Sequence, residues 1–228
     1  MYEYIENNLR ATLAEIAELE RARGGGKVRL VAVTKSGTDE ELVALVRAGA
    51  VEIGENRPQE LRRRGELLAE AGLTPALHEI GHLQRNKVKY IIERTALIHS
   101  VDNIDLAREI DRQAAKVGRR VPVLIEVNSA REEAKSGALP EAVEELFLAV
   151  RELPNVMVSG LMTMGPVVEN AEDIRPYFRL TRELYDSLGE KYGFEGEPTL
   201  SMGMSDSYKI AIEEGATLVR IGRRLFVK

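Results

Sequence analysis

A lysine at the end of an apolar segment is the first residue of this sequence that could do chemistry. Lys35 follows Thr34 and the apolar residues 31–33. An apolar mouth strips water from a lysine, and burial lowers its pKa and frees the neutral amine that forms Schiff bases. A lysine at a strand end also commonly extends into water. The lysine alone therefore favours a side chain that extends into water over a Schiff-base lysine.

Two glycine-containing turns near the C-terminus indicate a phosphate site. Residues 200–206 (Leu-Ser-Met-Gly-Met-Ser-Asp) lead into a helical pattern, and residues 219–222 (Val-Arg-Ile-Gly) lead from a strand pattern into a second turn. Backbone N–H groups and helix N-termini at such turns bind phosphate. Two turns at adjacent strand ends, with Ser201 and Ser205 beside the helix start, predict a phosphate ligand.

Two other strand ends carry side chains whose role the pattern leaves open. Asn56 precedes Pro58, so it can either act at the mouth or cap the helix that the proline starts. Met162 ends an apolar run, and methionine lines pockets as well as filling cores, with the core slightly favoured.

The segment 78–82 (His-Glu-Ile-Gly-His) matches the H-E-x-x-H pattern of zinc peptidases, which needs both histidines on one helix face. Gly81 disfavours a helix here, and residues 73–77 predict loop and strand. On a strand, His78 and His82 would lie more than about 10 Å apart. His99 is the one other histidine in the sequence. A zinc peptidase is therefore the weakest hypothesis, and we expect no metal.

These residues need a scaffold that brings strand ends together. A helix over residues 4–23 and the Gly24–Gly26 linker precede about eight strand and helix repeats. The predicted strands are 28–34, 51–53, 77–80, 96–99, 121–127, 156–161, 199–200 and 218–219. The predicted helices are 39–48, 58–71, 84–92, 104–117, 140–153, 174–188 and 205–213. The alternation predicts parallel βαβ units. Eight repeats favour one (β/α)8 TIM-barrel domain over residues 1–228, with 1–26 as an N-terminal helix and linker.

Composition narrows the class of protein. The chain has 228 residues, a net charge of −5 and no cysteine, which excludes disulfides and thiolate catalysis. The acidic balance argues against a nucleic-acid partner, and Arg62 to Arg64, flanked by glutamates, predict a solvated helix face. No signal peptide and no apolar run of ~20 residues is present, so we expect a cytoplasmic protein without a membrane partner.

Taken together, the motifs closely resemble the pyridoxal phosphate homeostasis protein family, a relative of the N-terminal domain of alanine racemase. The motifs are Ala-Val-Thr-Lys at 32–35, Gly-Glu-Asn-Arg-Pro-Gln-Glu at 54–60, His-Glu-Ile-Gly-His-Leu-Gln-Arg-Asn-Lys at 78–87, Ser-Val-Asp at 100–102, Lys-Ser-Gly at 135–137, Gly-Leu-Met-Thr-Met at 160–164, Leu-Ser-Met-Gly-Met-Ser-Asp at 200–206 and Val-Arg-Ile-Gly at 219–222. The resemblance covers essentially the whole chain after the first helix.

The resemblance implies a fold-type III barrel that binds pyridoxal 5′-phosphate, with the internal aldimine on Lys35. It implies that Arg220 faces the pyridine nitrogen and that Asn56 lies near the ring. The phosphate contacts and the mouth would be supplied by Ser201, Met204, Ser205, Gly222, His82 and Met162.

Arg220 also bears on activity. A guanidinium facing the pyridine nitrogen disfavours its protonation, which weakens the cofactor as an electron sink. Racemisation needs an acid/base group on each face of the substrate. Alanine racemase takes the second from a C-terminal domain that this sequence lacks, and Tyr208 is a poor substitute. We therefore favour a non-catalytic, monomeric carrier that supplies apo-enzymes, with a weak amino-acid racemase as the alternative.

Overall fold

A closed barrel of eight parallel strands forms the centre of the molecule. The computed structural model describes residues 2–228, and the strands follow chain order around the barrel until β8 pairs with β1. The strands are β1 (Arg29–Val33), β2 (Glu52–Glu55), β3 (Ala76–Glu79), β4 (Thr95–Val101), β5 (Val121–Glu126), β6 (Val156–Met162), β7 (Thr199–Ser201) and β8 (Leu218–Ile221). The predicted (β/α)8 fold is confirmed.

Helices connect the strands, and one additional helix precedes the barrel. The helices are α1 (Glu3–Ala22), α2 (Asp39–Arg47), α3 (Pro58–Glu70), α4 (Ile104–Lys116), α5 (Val143–Arg151), α6 (Arg175–Tyr192) and α7 (Tyr208–Glu213). The additional helix, α1, packs against α2 and α7. None of the helices in residues 2–228 combines the length and apolar composition of a bilayer-spanning helix.

The strands have both faces covered, as their nearly continuous apolar runs require. In β5, five of the six residues are buried. The larger apolar cluster lies between strands and helices, and a small separate cluster lies inside the barrel. The small cluster is Val31, Leu97, Leu124, Met162 and Leu218. Because side chains alternate along a strand, polar residues at neighbouring inward positions share this interior.

Three predicted helices differ from those in the structure. Residues 84–92 contain only a 3-10 helix, Arg85–Tyr90, where like charges four apart at Arg85 and Lys89 oppose an α-helix. The segment 140–153 divides into the 3-10 turn Pro140–Ala142 and α5. The helix predicted from Ser205 begins at Tyr208, because residues 202–207 form a turn.

Candidate functional site

The turn after β1 carries Lys35 at the mouth of the barrel. The N–H of Gly37 donates to the carbonyl of Thr34 at 2.9 Å and closes this turn. Thr34 and Gly37 are buried, but Lys35 is exposed, as the interpretation of a lysine that extends into water predicts. The side chain protrudes because the turn directs residues 35 and 36 away from the strand. Lys35 borders a cavity of about 440 Å³ between the β1 and β2 loops.

A buried arginine holds this turn from below. Arg64 on α3 donates to the carbonyls of Thr34 and Gly37 and, at 2.6 Å, to Oε1 of Glu55. Thr34 also donates its hydroxyl to Glu55. The prediction of a solvated face is therefore wrong for Arg64, although Arg62 is exposed. The overlooked signal is spacing, since Arg64 lies on the buried stripe of α3 with Pro58, Leu61, Gly65 and Leu68.

Asn56 lies at the mouth and does not cap α3. The N-cap of α3 is Arg57, and the Asn56 side chain is exposed beside the same cavity as Lys35. The backbone of Asn56 packs on Gly81, where an added Cβ would lie 2.3 Å from the Asn56 carbonyl oxygen. This close approach explains the glycine in the third motif.

His82 lies at the rim, whereas His78 faces the barrel interior. His82 is 59% exposed, and its Nδ1 lies 3.2 Å from Oγ of Ser136. His78 belongs to β3 and is buried. The segment is therefore strand followed by turn, as predicted, and not the helix that a zinc-peptidase motif requires. Within residues 2–228, no group of three or more histidines and carboxylates could hold a metal ion.

Arg220 is a buried cation beneath the mouth. It is 4% exposed, and it donates to Oγ of Ser201 at 2.6 Å and to the carbonyl of Thr163 at 3.1 Å. In the described chain no carboxylate lies within 4.0 Å of it. Burial lowers the pKa of Arg220 to about 10, opposed by Glu126, so the group stays charged at neutral pH. A guanidinium has five N–H donors, and these contacts leave capacity for a ligand.

Ser201 and Met162 face inward. Ser201 is fully buried, and its hydroxyl contacts Arg220 and, at 3.0 Å, Nδ1 of His99. Met162 is 1% exposed and belongs to the small apolar cluster inside the barrel. The core alternative for Met162 therefore describes its position in the structure. The Ser201 hydroxyl is engaged inside the barrel, below the turns at the mouth.

The turns after β7 and β8 face each other. Oγ of Ser205 lies 3.4 Å from the N–H of Gly222, and Met204 beside it is 40% exposed. Gly203 adopts a φ of +93°, and an added Cβ would lie 2.5 Å from Cβ of Ala211, so glycine allows this turn to lie on α7. The two predicted phosphate turns therefore meet at one edge of the mouth.

The β1 tip adjoins these turns. An added Cβ at Gly222 would lie 3.0 Å from the carbonyl oxygen of Val33, two residues before Lys35. Strands β1 and β8 are parallel, and Val31 pairs with Arg220. The two strands therefore end on the same side of the barrel. The lysine turn, the buried arginine and the two glycine turns therefore belong to one site.

Three buried carboxyl groups at strand ends, those of Glu55, Glu79 and Glu126, have pKa values that burial raises. Burial raises the pKa of Glu79 to about 8 and that of Glu126 to about 7. One oxygen of Glu79 and one of Glu126 have no hydrogen-bond partner in residues 2–228. Glu126 borders a cavity of about 230 Å³ near Lys135 and Met164. Glu79 could not be recognised from the sequence, because nothing in the H-E-x-x-H pattern indicates that its glutamate is buried.

The donor set has three chemically distinct parts. Lys35 supplies a primary amine, and Arg220 supplies a buried guanidinium with free donors. Ser205, whose Oγ accepts from the Gly222 N–H, supplies a hydroxyl donor for an anion. A small ligand with a carbonyl carbon, an aromatic nitrogen and a phosphate fits these parts. The space around Gly222 matters, since a side chain there would press against the Val33 backbone.

Comparisons with known proteins point to the same chemistry. The sequence profile described as alanine racemase, N-terminal domain, matches residues 7–227. A pyridoxal phosphate homeostasis protein of Aquifex aeolicus is 48% identical over 208 residues, which cover 91% of this chain and 90% of that protein.

Solved structures share the fold. PipY of Synechococcus elongatus PCC7942, with PLP bound, aligns with a TM-score of 0.83 and 28% identity, covering 98% of this chain and 100% of that one. Alanine racemase of Corynebacterium glutamicum aligns with a TM-score of 0.76 and 19% identity, covering 99% of this chain and 61% of that one. This second likeness is one of fold alone.

Proposed function

Since this chain belongs to the pyridoxal phosphate homeostasis protein family, we propose that it holds pyridoxal 5′-phosphate (PLP) at the mouth of its barrel and acts in PLP homeostasis. The observation that carries the proposal is Arg220, a buried cation with unused donors below the facing Ser205 and Gly222 turns. PLP has a basic ring nitrogen for the first and a phosphate for the second.

Each part of the site has a role in this proposal. Lys35 supplies the amine that bonds to the aldehyde carbon of PLP with loss of one water. Arg220 donates to the ring nitrogen and keeps it unprotonated. Ser205 and the backbone around Met204 and Gly222 bind the phosphate. PLP itself supplies an electron-accepting ring, which an unprotonated nitrogen makes weaker.

The remaining predicted residues surround these contacts. Asn56 borders the ring on the β2 side, and His82 borders the mouth on the β3 side. Ser201 and Met162 support the ring site from inside the barrel, and Ser201 acts through Arg220.

A carrier is favoured over a racemase because Tyr208, the residue considered as a second base, lies away from the barrel interior. Tyr208 is 2% exposed, and its hydroxyl donates to Glu15 of α1, far from the interior of the barrel. We propose that the protein binds and releases PLP, supplies apo-enzymes and works in the cytoplasm as a monomer. Formation of D-alanine from L-alanine by pure protein would favour the racemase, and reactivation of an apo-enzyme would favour the carrier.

The decisive experiment is the visible absorption spectrum after incubation with PLP and desalting. The wild-type protein should retain a band that borohydride abolishes, and Lys35→Ala should lose it completely. Lys89→Ala, an exposed lysine on the 3-10 helix, is the matched control and should keep the band. A wild-type protein without a retained band would overturn the proposal. A band of equal strength in Lys35→Ala would remove Lys35 from its role.

A further inference from the structure

A chain of polar side chains crosses the interior of the barrel below Arg220. Ser201 Oγ lies 2.6 Å from Arg220 and 3.0 Å from Nδ1 of His99. Nε2 of His99 lies 3.0 Å from Nδ1 of His78. Nε2 of His78 lies 3.4 Å from Oε2 of Glu52, at the opposite end of the barrel. Each member comes from a different strand, so the chain exists only in the closed barrel.

The two histidines in this row of hydrogen-bonded side chains, His78 and His99, are neutral. His99 and Ser201 are fully buried and His78 is 3% exposed. Burial lowers the pKa of His78 to about 3 and takes the pKa of His99 well below its ordinary range. A neutral imidazole has one N–H donor and one acceptor nitrogen. Each ring therefore accepts a hydrogen bond at one nitrogen and donates one from the other.

Arg220 sets that direction, because a guanidinium only donates. The Ser201 oxygen accepts from Arg220, so its O–H is free to donate to Nδ1 of His99. His99 then donates from Nε2 to Nδ1 of His78, which leaves the His78 proton on Nε2, 3.4 Å from a Glu52 oxygen that has no hydrogen-bond partner in residues 2–228. In the opposite direction, the Ser201 proton would need another acceptor.

We propose that His78 and His99 are positioning residues, which orient the Ser201 hydroxyl so that its oxygen holds Arg220 beneath the cofactor site. Every O–H and N–H of the chain points away from Arg220, so the aligned dipoles stabilise the buried cation. The role toward PLP rests on the proposed function. The hydrogen bonds among these side chains are present in the protein without ligand. The Ser201 proton is consequently directed inward, and the phosphate depends on Ser205 and the backbone turns.

The first test uses the cofactor-free protein. The sequence contains three histidines, so nitrogen-15 NMR can assign the imidazole protons one by one. We expect the proton on Nε2 of both His78 and His99. In Ser201→Ala, His99 loses the donor to Nδ1 and should populate both tautomers. The matched control is Ser100→Ala, another buried serine on a barrel strand, whose hydroxyl has no hydrogen-bond partner in residues 2–228. It should leave both tautomers unchanged.

A proton on Nδ1 of His99 in the wild-type protein would overturn the proposal, because the chain would then run the other way. Equal tautomer populations in wild type and Ser201→Ala would overturn it as well. These readouts do not depend on PLP, so failure of the wild-type protein to bind PLP would overturn the proposed function and leave the chain to be judged by NMR.

The second test measures PLP binding by the same variants. Ser201→Ala should weaken PLP retention by about tenfold and shift the visible band, because the guanidinium loses a charge-assisted hydrogen bond. Ser100→Ala should match wild type in both. His99→Leu should behave like Ser201→Ala, and His99→Gln should restore part of the affinity because its amide can both accept and donate. Wild-type affinity and an unshifted band in Ser201→Ala would overturn the positioning role.

Discussion

Two arginines of this barrel are almost equally buried, yet their surroundings differ. The side chain of Arg64, between α3 and the β1 turn, is 8% exposed, and it contacts the Glu55 carboxylate and two backbone carbonyls. Arg220, inside the barrel, is 4% exposed and contacts one hydroxyl and one carbonyl. The first guanidinium is paired with a carboxylate, although its Nε has no hydrogen-bond partner in residues 2–228, and the second has no carboxylate within salt-bridge distance in the same residues.

The difference separates a structural role from a binding role. A buried charge is costly unless it is paired and hydrogen-bonded. Arg64 meets most of that requirement through the Glu55 carboxylate, and it links α3 to the turn that carries Lys35. Arg220 has no such carboxylate, and its partners are the Ser201 hydroxyl and the Thr163 carbonyl. The lack of a carboxylate partner is the reason why we assign Arg220 to the proposed PLP site.

The largest effect on stability is expected at Arg64. Arg64→Met removes the charged donor that the Glu55 carboxylate and the Thr34 and Gly37 carbonyls share. The free energy of unfolding should fall by about 3–5 kcal/mol, the usual cost of breaking a buried pair from one side. Urea denaturation measures it. Arg62→Met, on the exposed face of the same helix, should cost less than about 0.5 kcal/mol. Equal losses in both variants would show that Arg64 does not hold the β1 turn in place.

Arg220 should show the reverse pattern. Arg220→Met removes a poorly paired cation, so the unfolding free energy of the cofactor-free protein should change by less than about 1 kcal/mol. The affinity for PLP should fall by about 10- to 100-fold, since a hydrogen bond from a charged donor is lost. Desalting followed by absorption measures retention. A stability loss as large as that of Arg64→Met, with PLP binding intact, would show that Arg220 has a structural role like that of Arg64.

The last effect depends on pH and concerns Glu79, which lies near Glu55 but has no cation partner within residues 2–228. Its pKa is raised by burial from 4.5 to about 8, and the Glu55 charge adds to the rise. The folded state thus keeps a proton that the unfolded state releases, so stability falls as pH rises from about 4.5 to about 8.

Glu79→Gln should abolish that slope. At pH 8.5 the variant should be more stable than wild type by about 3–5 kcal/mol, and near pH 4 the two should agree. Urea denaturation across this range measures the difference. Glu93→Gln, an exposed glutamate, should follow the wild-type profile. A wild-type stability that is flat between pH 5 and 8 would show that Glu79 ionises normally in the fold.

The alternation of apolar runs and helical patterns was enough to predict the barrel. Even the short strands β7 and β8 were found, because glycine turns and helical patterns bound them. The α-helix predicted over residues 84–92 was wrong. The periodicity at Val88, Ile91 and Ile92 indicates burial but does not distinguish an α-helix from a 3-10 helix. Like charges along the segment and tertiary packing settled that choice.

The site was predicted less evenly. Ser205 and Gly222 meet as their glycine turns indicated, whereas Arg64 looked like one member of a solvated run. Its burial depends on Glu55, a residue of β2 that no charge pattern within α3 can show. For Lys35 the sequence offered both a buried and an exposed side chain, and the conformation of its turn, held by Arg64, exposes it.

The sequence by itself determined the order of strands and helices, the lysine at the first strand end and the glycine turns, because these depend on local spacing and backbone freedom. Only the tertiary structure decided the partner of each buried charge. Barrel closure brings Ser201 to His99, 102 residues away in the sequence, and Arg220 to Thr163, 57 residues away. Hydrogen bonds between residues so far apart leave no periodic signal along the chain.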